Sequence, residues 1–173
     1  MSVVCYGRMV LFLAFFAMVS LPDVSYAKDV KEITSTELKE IVRENKDKVV
    51  AVTFWATWCK ICVEHLPELN TLYEKYKNKN VEIIGVSMDD KSKEVKDFIE
   101  KKGIEFPILR AKDKEEMGYV YNVKKIPVIH YYKNGKLEHI EEGYTDLKHI
   151  EEDLHNCLEG TPPPSKDVKS TTK

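Results

Sequence analysis

Val49-Val-Ala-Val-Thr-Phe-Trp-Ala56, followed at once by Thr57-Trp58-Cys59-Lys60-Ile61-Cys62, decides the fold class of this chain. The first segment is an almost unbroken apolar run rich in β-branched residues, which is how a strand covered on both faces reads. After Thr57-Trp58-Cys59 the periodicity changes. Cys62, Leu66, Leu69, Tyr73 and Tyr76 recur at helical spacing, so a helix runs to about Tyr76. Pro67 lies inside that pattern. It lacks a donor and its ring crowds the preceding turn, which predicts a kink.

Toward the N-terminus, Ser35 or Thr36 caps a helix to about Asn45, with Leu38, Ile41 and Val42 on one face. Toward the C-terminus, Val81–Ser87 is a second buried strand. A helix capped by Ser92, or by an Asp before it, carries Val95, Phe98 and Ile99 inward and closes at Gly103. Phe106–Leu109 is a short strand and Asp113–Tyr121 a short helix. Val128–Tyr132 and Lys136–Glu142 flank Asn134-Gly135, a strong hairpin signal. Thr145 or Asp146 starts a last helix, with Leu147, Ile150, Leu154 and Leu158 inward. Strand–helix alternation asks for parallel pairing, and the hairpin adds an antiparallel edge. The class is α/β: a central mixed β-sheet flanked by helices on both faces.

Cys59 falls at the start of a helix. Unpaired backbone N–H groups and the positive end of the helix dipole favour an anion there, which lowers a thiol pKa. Lys60 adds positive charge beside it. Cys62 lies one turn further in, less exposed and within reach of Cys59. This arrangement predicts a redox pair in which Cys59 attacks a substrate disulfide and Cys62 resolves the mixed disulfide. Two other readings stand beside it. An inert staple would close a loop too short to remove much chain entropy. A metal site would use Cys59, Cys62 and His65, which recur every three residues on one helix face. Structural zinc wants four ligands and there is no second CxxC or HxxxH, whereas copper(I) needs fewer. Covalent haem is excluded because Val63, not His, follows the second cysteine.

The 173 residues suit one domain, 28–160, with a polar tail at 161–173 read as disordered. A net charge of -2 gives no basis for nucleic-acid binding. Met1–Ala27 reads as an export signal: Arg8, the apolar run Met9–Val19, the breakers Pro22 and Asp23, then Ser25-Tyr26-Ala27 as a cleavage site. The alternative is an uncleaved membrane anchor. Of the four cysteines, Cys5 leaves with a cleaved signal, Cys59 and Cys62 pair, and Cys157 sits on the apolar face of the last helix as a small hydrophobe. His130, His139, His149 and His155 show no metal spacing and read as ordinary surface or strand positions.

With these residues in place, the chain resembles the thioredoxin superfamily, and within it the exported TlpA/ResA-like thiol-disulfide oxidoreductases. The match rests on Phe54–Cys62, Ile83–Asp89, Phe106-Pro107-Ile108, Tyr121-Asn122-Val123, Lys125-Ile126-Pro127-Val128 and Asn134-Gly135-Lys136. The resemblance implies a thioredoxin-like fold with an extra αβ insertion and a cis Ile126–Pro127 bond facing the CxxC. Trp58, Ile126 and Pro127 then contact substrate. It also implies a periplasmic or other extracytoplasmic monomer acting on disulfides of exported proteins, apocytochrome c among them, and recharged by a membrane thiol-electron donor. No cofactor is needed beyond the Cys59–Cys62 disulfide, and no metal. Three positions depart from the family pattern. Thr53 stands where plain thioredoxins have Asp, Ile61 where Pro is frequent, and His65 where Glu is frequent, which makes His65 a modulator alongside Lys60. Glu64 points elsewhere. An oxidase or isomerase on the same fold is the remaining alternative, because direction depends on a potential.

Overall fold

The computed structural model describes residues 30–161; the export-signal reading of 1–27 and nearly all of the polar tail lie outside the described residues. β2 (Val49–Trp55) is buried at every position. It pairs in parallel with β3 (Val81–Ser87) from Val49↔Val81 to Trp55↔Ser87, and antiparallel with β5 (Val128–Lys133) from Val49↔Lys133 to Phe54↔Val128. The six-stranded sheet is completed by β4 (Ile108–Ala111) beside β3, by β1 (Lys31–Ile33) beside β4, and by β6 (Lys136–Glu142) beside β5. The order is β1-β4-β3-β2-β5-β6.

Alternation along β2 divides the core. Val49, Ala51 and Trp55 face α2 (Lys60–Tyr76), α3 (Ser92–Lys102) and α5 (Leu147–Glu159). Val50, Val52 and Phe54 face α1 (Ser35–Glu44) and α4 (Lys114–Val120). Gly85 lies on the α2–α3–α5 side of the sheet, where an added side chain would force its neighbours to shift. A Cβ there would stand 2.5 Å from Ile108 Cδ1 and 3.1 Å from the Trp55 indole nitrogen. Asn134 and Gly135 both take positive φ, 53° and 72°, as the two-residue hairpin requires.

Several boundaries differ from the sequence reading, each for a local reason. The α1 cap is Thr34 rather than Ser35 or Thr36. Its side chain accepts the Glu37 N–H while the Glu37 carboxylate accepts the Thr34 N–H, a reciprocal cap that the Thr34-Ser35-Thr36-Glu37 pattern encodes. Lys91, not Ser92 or an aspartate, precedes α3, and it makes no side-chain cap. The Ser92 hydroxyl instead bonds Arg110 and Glu32. β4 begins after Pro107, which has no N–H for the ladder, though its carbonyl still accepts from Gly85 N. β1 has too few residues to show a periodicity. α2 is unbroken across Pro67. On α2, His65 and Leu72 are buried while Tyr73 and Tyr76 are only half-buried. On α5, Asp153 joins Ile150, Leu154 and Cys157 inside. No helix among the described residues is long and apolar enough to cross a membrane.

His130 on β5 is buried against Phe54, Tyr121 and Tyr132, and burial lowers its pKa to about 4. Above pH 6.5 both folded and unfolded chains carry a neutral imidazole, so this residue adds no pH dependence. Below 6.5 the unfolded chain takes the proton first, and stability falls until the pH passes the folded value. Between pH 7 and pH 4 the wild type should therefore lose about 3 kcal/mol more than His130→Gln, read from urea denaturation at each pH.

Candidate active site

The carboxyl end of β2 hands the chain directly to the site. Ala56 and Thr57 lead into a turn in which Cys59 N–H donates to the Ala56 carbonyl. Cys59 is then the N-cap of α2, and its sulfur accepts the Cys62 N–H at 3.2 Å. Cys59 and Cys62 form a disulfide with Cα atoms 5.2 Å apart, inside the usual range for such a bond. Cys59 is half-buried and Cys62 fully buried, the difference in access that one helical turn predicts. Lys60 is exposed beside them.

The second wall comes from the far end of the chain. Because β5 runs antiparallel to β2, with Phe54 opposite Val128, the segment just before β5 lies at the same sheet edge as Cys59. Ile126–Pro127 is cis, and the Ile126 carbonyl oxygen is 3.9 Å from Cys59 Sγ. Pro127 is buried, and its carbonyl accepts the Gly143 N–H. Trp58 stands 68% exposed. With Ile126, Met88, Val123, Lys124 and Lys125 it lines an open groove of about 450 Å³. Trp55 is fully buried against Phe98 and belongs to the core.

His65 is 1% exposed rather than solvated. Its ring packs on Tyr144 at 5.4 Å, beside the Thr145 backbone. Burial lowers its pKa, opposed in part by the Thr145 backbone, so the imidazole is neutral at neutral pH. Thr53 is buried with its hydroxyl unpartnered among the described residues. Glu64 is exposed, and Cys157 is free and buried, with burial pushing its thiol up to about 11. His155 is exposed. His139 and His149 are instead partly buried beside Glu141 and Asp153.

One positioning residue escaped the sequence reading. Asp89, 1% exposed in the β3–α3 connection, accepts from Thr57 N–H at 3.0 Å, from the Thr57 hydroxyl at 2.6 Å and from Ser87 Oγ at 2.7 Å. Arg110 donates to the Asp89 carbonyl. The carboxylate therefore anchors the residue two before Cys59. Asp89 follows a strand in an acidic-basic stretch, and nothing local marks it as an acceptor for a distant loop. Asp89→Asn leaves one acceptor oxygen for three donors. It should destabilise the oxidised protein by about 1–3 kcal/mol, measured as a lowered urea midpoint with unchanged slope.

The sequence matches the AhpC/TSA family model over residues 19–135. A thiol-disulfide oxidoreductase ResA of Bacillus thuringiensis is 40% identical over 96 residues, covering 55% of this chain and 55% of that protein, so the chain spans about half the length of this relative. A ResA of Oceanobacillus iheyensis is 31% identical over 131 residues, covering 75% of this chain and 67% of the relative. Among solved structures, a putative thiol:disulfide interchange protein DsbE from Chlorobium tepidum superposes with a TM-score of 0.61 at 27% identity, over 66% of this chain and 83% of that one. Sequence and sheet order agree with one another, and the chain belongs to the AhpC/TSA family of the thioredoxin superfamily, on its ResA-like side.

Proposed function

We propose that this protein is an extracytoplasmic thiol-disulfide oxidoreductase that reduces disulfides of exported proteins. The observation that carries the proposal is the half-exposed Cys59 sulfur at the N-cap of α2, bonded to a fully buried Cys62 and faced by Ile126–Pro127. The names of the ResA relatives support it.

In the reduced protein, the helix N-terminus and Lys60 favour the Cys59 thiolate. It attacks one sulfur of a substrate disulfide, forms a mixed disulfide and expels the other substrate sulfur as thiolate. The Cys62 thiol loses its proton and attacks Cys59 Sγ. This restores the Cys59–Cys62 disulfide and releases the second substrate thiolate, so two electrons pass to the substrate. His65, one turn beyond Cys62 and neutral, is the acceptor for that proton. Trp58, Ile126 and Pro127 hold an extended substrate segment against the reacting sulfurs. The disulfide is the only redox group required. The protein acts as a monomer, exported by Met1–Ala27 and recharged by a membrane thiol-electron donor. Disulfides of exported proteins are the substrate class, with apocytochrome c, and so a part in cytochrome c maturation, included in the proposal.

Insulin reduction by the purified protein tests the chemistry. Cys59→Ser abolishes turnover, whereas Cys62→Ser accumulates the mixed disulfide. His65→Gln slows release from that adduct and flattens its pH dependence without changing its formation. A Cys59–Cys62 potential near thioredoxin's, roughly -270 mV, fits a reductase, and one near -120 mV replaces this direction with an oxidase. Stoichiometric copper(I) binding by the reduced protein, lost in His65→Ala and without insulin reduction, overturns the enzyme reading in favour of a copper chaperone.

A further inference from the structure

A second cluster of titratable side chains lies between β6 and α5. His139 and Glu141 alternate onto one face of β6, and His149 and Asp153 stand one turn apart on α5. The two carboxylates are 3% and 0% exposed. His139 Nε2 is 3.6 Å from Glu141 Oε2 and 3.8 Å from Asp153 Oδ2, and His149 Nε2 is 3.9 Å from the same Asp153 oxygen. Ligand atoms of His139, Glu141 and Asp153 all fall within 4.8 Å of one another. Both Nε2 atoms are shut off from solvent and make no hydrogen bond among the described residues.

These distances separate two arrangements. Directly hydrogen-bonded nitrogen and oxygen atoms stand roughly 2.7–3.2 Å apart, and these pairs do not approach so closely. Two ligands about 2.1 Å from one tetrahedral zinc ion stand about 3.4 Å from each other. The spacing therefore suits a shared central ion better than direct pairing. Tyr131 is an independent observation. It is fully buried, its hydroxyl has no hydrogen-bond partner among the described residues, and its ring stacks at 5.7 Å on His139, its neighbour across the β5–β6 ladder.

We propose that His139 Nε2, Glu141 Oε2 and Asp153 Oδ2 form a three-ligand site for a divalent transition-metal ion of the zinc class, with His149 Nε2 holding the Asp153 carboxylate from outside. The other Glu141 oxygen accepts the Thr145 hydroxyl, which fixes the carboxylate. The ion clasps β6 to α5 across the loop that carries Tyr144 and Thr145. The same loop packs on His65 of α2, so the clasp backs the active-site helix.

Zinc titration tests this on chelator-treated protein with Cys59–Cys62 oxidised, so that those thiols cannot ligate. One equivalent should bind and raise the melting temperature. His139→Ala and His149→Ala should each weaken binding at least about 10-fold, and together abolish the thermal shift. His155→Ala, on an exposed turn of the same helix, should bind as the wild type does. His139→Gln, which keeps size and polarity, should lose zinc as well while its metal-free urea midpoint stays near that of the wild type. Absence of saturable binding overturns the proposal. So does binding retained by the double variant, or binding that depends on Cys157.

Discussion

The structure depends on the complete burial of β2. Each residue from Val49 to Trp55 is covered by helices on one face or the other, and the strand is paired on both edges. A strand so held has no freedom at its carboxyl end, which is where the redox pair begins. At about 25 cal/mol per Å² of apolar surface, fully buried side chains such as Trp55 and Phe54 make this strand costly to displace. The Thr57–Asp89 bonds extend that fixity from the sheet to the residue two before Cys59. Reactivity is thus placed at the boundary between a rigid strand and the dipole of a helix.

The antiparallel hairpin is the second constraint. It returns the chain so that the start of β5 lies at the end of β2, and it brings Ile126–Pro127 over Cys59. The β6–α5 loop that follows bonds Pro127 through Gly143 and covers His65 with Tyr144. One short loop therefore touches Pro127, the helix that carries Cys62 and the cluster around Glu141. A change in that cluster has a direct packing route to the redox pair.

Much of this was legible in the chain itself. The buried strand, the helix after it, the hairpin at Asn134-Gly135 and the partition of cysteines into a disulfide pair and a buried thiol follow from local patterns. What escaped had weak local signals. β1 has only three residues. The Thr34 cap was written in Thr34-Ser35-Thr36-Glu37 but read one residue late. His65 sits at a helix position that the Cys62–Leu66–Leu69 stripe brings inward, yet a histidine there reads equally well as solvated. His139 and Glu141 two apart on a strand, and His149 and Asp153 four apart on a helix, are spacings that face one side. Read as histidines alone they showed nothing, because their carboxylate partners carry half the pattern.

The sequence by itself determined the α/β class, the order of elements after β1 and the pairing of Cys59 with Cys62. Hydrophobic periodicity and a helix N-terminus are properties of contiguous residues. Only the tertiary structure decided which distant groups meet: Ile126 with Cys59, Asp89 with Thr57, Tyr144 with His65, and β6 with α5 at two buried carboxylates. Those meetings are fixed by strand register and by the face each helix buries. Both are set by packing the whole sheet at once, and no single segment encodes them.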